Sequence, residues 1–167
     1  MDRDALRALQ EPLKQRYRDD PAEALVTLSA TGTLDEGIAC SVRTGRALAR
    51  AGLHPATGGD GSALCSGDML LEALVACAGV TLRAVATALD IPLRRGSVSA
   101  EGVLDFRGTL AVEREAPVGF KTIALRFELD APGVTDEQRA TLLKLTERYC
   151  VVLQTLRATP ALTVELR

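Results

Sequence analysis

The chain has 167 residues, of which 47% are hydrophobic and 25% charged, the length and balance of one folded globular domain. A formal net charge of −2, with no Trp, two Tyr and three Phe, argues against a nucleic-acid-binding surface. The first residues are charged, and the longest apolar run, 73–80, is too short to cross a bilayer. We therefore expect a soluble, cytoplasmic protein that binds neither nucleic acid nor membranes. Four cysteines in that compartment are not expected to form a structural disulfide framework.

The N-terminal residues predict an amphipathic helix over 2–18, within an N-terminal extension that covers 1–20. One stripe of this helix is apolar and consists of Leu6, Leu9, Leu13 and Tyr17. Pro12 interrupts the pattern, so one helix and two short helices both remain open.

Strands are predicted to follow the extension. Apolar residues alternate with polar ones over 24–30 and again over 38–43, which is typical of two half-buried strands. The segment 31–37 is predicted to be the turn between them. A second turn at 44–45 leads to a third strand near 46–50.

The middle of the chain predicts a loop, a long helix and two strands. Five Gly and one Pro mark 52–68 as a loop, and a helix is predicted from 66 to 89. Alternating apolar residues then predict one strand over 98–106 and another over 122–130.

A second long helix, 136–157, is predicted to begin at a capping box formed by Thr135 and Gln138. The segment 161–167 alternates again and predicts a last strand. This order of elements indicates an α+β fold of antiparallel sheets packed on two long central helices, with 1–167 forming a single domain.

Cys77 lies in the middle of the predicted helix 66–89, which is apolar on nearly every face. Such a helix is typically buried, so Cys77 is expected deep in the fold, where a free cysteine is most often a small apolar filler. Cys150 is expected well inside the second apolar helix. If the two helices pack together, the two cysteines could form a redox pair, but no Cys-x-x-Cys motif is present and both interpretations stay open.

Two stretches resemble the OsmC/Ohr family of osmotically inducible and organic-hydroperoxide-resistance proteins. They are GGDGSALCSGDMLLEALVACAGVTL (58–82) and LTERYCVVLQTL (145–156), and with the order of elements the resemblance covers 24–167. It implies sheets wrapped around two central helices in an intertwined homodimer.

The resemblance also implies a thiol-dependent peroxidase that reduces organic hydroperoxides in oxidative-stress defence. Cys77 would be oxidised to a sulfenic acid, and Cys150 would condense with it to a Cys77–Cys150 disulfide. A dithiol reductant of the lipoyl or thioredoxin type would reopen this bond. No cofactor and no metal is expected.

Burial raises the pKa of a thiol, so an activating group is expected near Cys77. The dipole of its own helix fades within the first turn and is too distant, which favours a guanidinium. The family implies an arginine from the turn between the first two strands, held by a carboxylate near the start of the central helix. Asp68 is the candidate carboxylate. The corresponding turn, 31–37, contains no arginine, so the candidates for the arginine flank the next turn, Arg46 first and Arg43 second.

The alternative function is that of a non-catalytic relative that binds an apolar small molecule in the same pocket. Among the other reactive residues, Cys40 is expected in the core and Cys65 in a glycine-rich loop. His54, the only histidine, would serve a Cys–His hydrolase only beside a cysteine. Cys40, His54 and Cys65 have no recognised metal-ligand spacing.

A homodimer is also expected from the helices themselves. Six or so strands with one apolar face each are too few to cover two helices that are apolar on almost all sides. A twofold partner would supply the missing cover.

Overall fold

The computed structural model describes residues 2–19, 31–34, 39–44 and 47–166. It is a mixed fold of helices and small sheets, which confirms the predicted α+β class. In chain order the elements are α1 (Arg3–Asp19), β1 (Thr31–Leu34), β2 (Ala39–Thr44), β3 (Ala47–Gly52), a 3-10 turn (Pro55–Thr57), β4 (Leu64–Cys65), α2 (Ser66–Ala88), β5 (Arg95–Val103), α3 (Phe106–Thr109), β6 (Thr122–Asp130), α4 (Asp136–Tyr149) and α5 (Val151–Arg157).

The chain forms two compact units. The first comprises Met1–Glu11, Ala73–Ser99 and Leu125–Arg167, and the second comprises Pro12–Glu72 and Ala100–Ala124. A cluster of buried side chains from α2, the segment after it and α4 forms the core of the first unit, and Phe127 and Leu129 of β6 pack against it. The cluster consists of Leu82, Ala86, Ile91 and Leu142.

The second unit contains a four-stranded sheet in the order β1-β2-β3-β4. The first three strands pair antiparallel, whereas β3 and β4 pair in parallel over two residues. The predicted turn at 31–37 is wrong in its first half, because Thr31–Leu34 is β1 and Leu34 lies opposite Cys40. Two β-branched threonines favour a strand there over the predicted turn. Residues 24–30 and the turn at Gly45 lie outside the described part of the chain.

The long alternating strand 122–130 is confirmed as β6, whose residues alternate between exposed and half-buried. Its partner β5 begins at Arg95 and ends at Val103, so the predicted strand 98–106 continues too far. Asp105 ends it, because its carboxylate accepts a hydrogen bond from the amide of Arg107 and starts the short helix α3.

The N-terminal residues form one continuous helix through Pro12. The carboxylate of Asp2 caps its start by accepting a hydrogen bond from the amide of Ala5 at 2.8 Å. Arg3 forms an ion pair with Asp90 in the turn after α2.

Helix α2 confirms the predicted range 66–89 to within one residue, but only one stripe of it is buried. Every fourth residue from Leu74 to Ala86 is buried, whereas Val80 is 73% exposed. The expectation of burial on all faces is therefore wrong within a single chain. By length and composition α2 could cross a membrane, as core helices of soluble proteins also could. Its packing on Leu142 in the core cluster is that of a core helix.

The predicted last strand is wrong for the described residues of a single chain. Residues 159–166 have no regular secondary structure, and their alternating apolar side chains face solvent. Leu162, Val164 and Leu166 are 77%, 96% and 101% exposed. Alternation makes a segment able to form a strand, but a strand also needs a neighbour for its backbone hydrogen bonds.

The predicted capping box at the start of α4 is confirmed. The amide of Gln138 donates to the Thr135 hydroxyl at 3.2 Å, and the Thr135 amide donates to the Gln138 side chain at 2.9 Å. The helix predicted over 136–157 is nevertheless two helices, because the backbone leaves the helical conformation at Cys150.

We expect Thr135→Ala to lower the free energy of unfolding by about 1 kcal/mol, because the amide of Gln138 loses its acceptor. Thr135→Ser keeps a hydroxyl and is the matched control, with a loss of less than about 0.5 kcal/mol. Urea denaturation followed by circular dichroism measures both. Equal losses for the two variants would contradict the assigned cap.

Candidate functional site

Cys150 lies at a break between two helices. Its backbone has φ −73° and ψ 106°, so it ends α4 and precedes α5. The prediction that Cys150 lies well inside one helix is therefore wrong. The β-branched pair Val151 and Val152 follows immediately, and such residues propagate a helix less well than unbranched ones.

The break changes the partners of three backbone amides. In a continuous helix the amides of Val151, Val152 and Leu153 would donate to the carbonyl groups four residues earlier. Here hydrogen bonding from the amides of Val151 and Val152 lowers the pKa of Cys77. Hydrogen bonding from the amides of Leu153 and Val152 lowers that of Cys150 in the same way, against the stronger effects that raise it. The regular pattern resumes at Gln154, whose amide donates to the Cys150 carbonyl at 2.9 Å.

The structure brings the two predicted cysteines together. Cys77 on α2 is half-buried and Cys150 is fully buried, and they lie close enough that each thiol shifts the pKa of the other. The hydroxyl of Thr81, one turn further along α2, also donates to Cys77. The two sulfur atoms thus face each other inside the first unit, with Cys77 the more accessible.

The pKa values of the two thiols move in opposite directions. Burial raises the pKa of Cys77, but hydrogen bonds from the Val152 amide, the Cys150 thiol, the Val151 amide and Thr81 outweigh it, and the net pKa is lowered. Burial also raises the pKa of Cys150, and the hydrogen bond to Cys77 and the charge of Cys77 raise it further. Of the pair, Cys77 is therefore the thiol that ionises more readily, and Cys150 is the one that keeps its proton to higher pH.

The activating groups seen at Cys77 differ from the guanidinium expected from the sequence. Amide, thiol and hydroxyl donors lower its pKa in the described part of the chain. Arg46 lies outside the described residues, and for Arg43 only the backbone of β2 is described. The role predicted for these arginines stays a prediction.

Asp68 lies in the first turn of α2 and is exposed. It lines a cavity of about 340 Å³ in the second unit together with His54, Cys65, Phe106 and Phe120. Its predicted role, to hold an activating arginine, stays a prediction, because Arg46 and the side chain of Arg43 lie outside the described residues.

The other reactive residues predicted from the sequence have simpler surroundings. His54 stacks on Phe106 with ring centroids 4.9 Å apart, and its Nδ1 accepts a hydrogen bond from the Ala56 amide at 3.0 Å. Cys65 is half-buried in the same cavity. The side chain of Cys40 lies outside the described part. No group of three potential metal ligands occurs among the described residues.

The sequence analysis missed Thr81 and the amides of Val151 and Val152. Thr81 follows Cys77 by four residues, a spacing that places it on the same face of a helix. The two valines after Cys150 were the signal for a break. Neither feature shows which groups influence the Cys77 thiol until the fold brings α2 and the break together.

Comparison with known proteins supports the family and the fold. The model of the family described as OsmC-like protein matches residues 59–165. Among curated proteins, none matches the chain significantly.

Solved structures with the same fold have low sequence identity. An OsmC-like protein from Mycoplasma pneumoniae has a TM-score of 0.68 and 16% identity, covering 80% of this chain and 89% of that one. An organic hydroperoxide resistance protein from Legionella pneumophila, described as a predicted redox protein, has a TM-score of 0.61 and 20% identity, covering 80% and 91%. One from Elizabethkingia anophelis has the same TM-score and identity, covering 81% and 91%. With a family model that matches well over half of its length, the chain belongs to the OsmC-like protein family.

Proposed function

We propose that the protein is a thiol-dependent peroxidase that reduces organic hydroperoxides. One observation carries the proposal: two cysteines 73 positions apart lie close enough to shift each other's pKa, which is lowered for Cys77 and raised for Cys150. A peroxide-reducing thiol must be a thiolate with access to its substrate, and its resolving partner must be near. Cys77 is the accessible thiol with the lowered pKa, and Cys150 is the partner beside it.

The first step is the attack of the Cys77 thiolate on the O–O bond of the hydroperoxide. A sulfur–oxygen bond forms, the alkoxide leaves and takes up a proton as an alcohol, and Cys77 becomes a sulfenic acid. The neighbouring Cys150 thiol can supply this proton.

The second step is the condensation of the two cysteines. Once Cys77 is a neutral sulfenic acid, its charge no longer raises the pKa of Cys150. The amides of Val152 and Leu153, which donate to the Cys150 sulfur, then favour its thiolate. This thiolate attacks the Cys77 sulfur, the S–O bond breaks, the hydroxide leaves and takes up a proton from solvent as water, and a disulfide forms. A dithiol, of lipoyl or thioredoxin type, reduces the disulfide by exchange.

The fold relatives support a peroxide-related role. The similar structures from Legionella pneumophila and Elizabethkingia anophelis are described as organic hydroperoxide resistance proteins. At 20% identity these relatives establish the fold alone. The proposed reaction of this chain therefore rests on its own two thiols. We propose that this activity serves oxidative-stress defence in the cytoplasm.

We further propose a homodimer. In the first unit, several large apolar side chains of one chain are exposed at α2, α5 and the C-terminal segment. They include Val80 and Val151, at 73% and 70% exposed, and the alternating Leu162, Val164 and Leu166. Apolar surface of this extent on a folded chain is typical of an interaction site, and the alternating segment has the pattern of a strand that lacks a neighbour.

We expect Cys77 to react with iodoacetamide at lower pH than Cys150 or a free thiol. Because its pKa is lowered, its thiolate forms at a pH where ordinary thiols, with a pKa of about 8.5, are still protonated. Peptide-resolved mass spectrometry between pH 5 and 9 measures the rate at each cysteine. A midpoint for Cys77 at or above that of Cys150 would contradict the assignment.

We expect Cys77→Ser to abolish turnover of cumene hydroperoxide with a dithiol reductant. Cys150→Ser should reduce about one equivalent and then stall, because its sulfenic acid has no partner. Cys65→Ser is the matched control and should retain wild-type turnover. Full turnover by Cys77→Ser would overturn the proposal. Tight binding of the apolar peroxide without its reduction by the wild type would instead favour the non-catalytic binding protein.

We expect a stable dimer at micromolar concentration, with more than about 2,000 Å² buried in total. Val164→Asp should shift the equilibrium toward the monomer, because a charge would enter the apolar contact. Sedimentation equilibrium distinguishes the two states. A folded wild-type monomer of 17.7 kDa would count against the dimer.

A further inference from the structure

The break at Cys150 frees carbonyl groups of α4 as well as amides of α5. The carbonyl of Glu147 would accept a hydrogen bond from the amide of Val151 in a continuous helix, but the break at Cys150 separates the two, and the amide of Val151 instead lowers the pKa of Cys77. A side chain replaces it: Nε2 of Gln154 donates to the Glu147 carbonyl at 2.6 Å. The Glu147 carbonyl thus exchanges a backbone donor, the Val151 amide, for a side-chain donor, Gln154.

A second contact also joins α4 and α5. The guanidinium of Arg157 lies 3.0 Å from the carboxylate of Glu147. Gln154 and Arg157 are one turn apart on α5, so both reach back across the break to Glu147, in the last turn of α4. We call these three residues the clasp.

The clasp has the position needed to set the angle of the break. Gln154 is seven residues from Glu147, and in a straight helix their backbones would be about 10 Å apart along the axis. A hydrogen bond between the Gln154 side chain and the Glu147 carbonyl is therefore specific to the bent arrangement. Were the helix to straighten, the Val151 amide would return to Glu147 and leave Cys77.

We propose that Gln154 is a positioning residue: by occupying the Glu147 carbonyl it holds the helix break in the form in which the Val151 and Val152 amides donate to the Cys77 sulfur. Arg157 assists by fixing Glu147. The inference rests on the proposed function for the meaning of a reactive Cys77, but the contacts themselves are independent of substrate. Gln154 touches neither sulfur in this arrangement and acts only through the backbone.

The test is the pH dependence of Cys77 alkylation in Gln154→Met, which keeps the length of the side chain and lacks the donor. We expect the alkylation midpoint to move to higher pH, and the rate at pH 7 to fall by about three- to tenfold. The matched control is Thr155→Val. It removes a side-chain hydrogen bond of 2.9 Å within α5, to the Val151 carbonyl, and leaves the clasp intact. Its profile should match that of the wild type.

Arg157→Gln provides a second variant should Gln154→Met fold poorly, because the ion pair that it removes is largely exposed. It should shift the midpoint in the same direction by a smaller amount. Unshifted profiles in folded Gln154→Met and Arg157→Gln, or an equal shift in Thr155→Val, would overturn the inference. A shifted midpoint in a protein that reduces no hydroperoxide would uphold the clasp and reject the peroxidase.

Discussion

The interruption of one helix at Cys150 is the feature on which the rest of the site depends. Backbone amides in the middle of a helix are unavailable to other groups, because each already donates to a carbonyl four residues earlier. Extended backbone at Cys150 releases the amides of Val151 and Val152 from the helical pattern. Hydrogen bonding from these amides lowers the pKa of Cys77. A local change in backbone conformation thereby changes the environment of a thiol on a different helix.

This arrangement also explains how two similar thiols acquire different chemistry. Both are subject to the desolvation that raises a thiol pKa, and both receive amide hydrogen bonds. The difference is that Cys150 donates to Cys77, so the charge on Cys77 is stabilised and a charge on Cys150 is opposed. The half-buried thiol is the one whose pKa is lowered, and the fully buried thiol is the one whose pKa is raised.

The apolar surface of the first unit places a second constraint on the protein. A helix as apolar as α2 would be covered on all sides in a large single core. Within one chain, part of α2 and the alternating C-terminal segment are instead exposed to solvent. The same segments hold the site, since Cys77 belongs to α2 and Val151 starts α5. Association with a second copy would therefore change the solvent access of the cysteines as well as the stability of the fold.

The sequence by itself determined the elements whose signals are local. The capping box at Thr135, the long apolar helix with Cys77, the alternating strand of β6 and the family resemblance were all readable from neighbouring residues, because capping and periodicity act over one or two turns. Only the tertiary structure decided that the second helix breaks at Cys150 and that its amides meet Cys77. A break is favourable only when the groups that it releases find partners, and those partners, the Cys77 sulfur and the Gln154 side chain, become available only once the helices are packed. The C-terminal segment follows the same physics, because alternation at Leu162, Val164 and Leu166 is local whereas the strand that would pair with it is not.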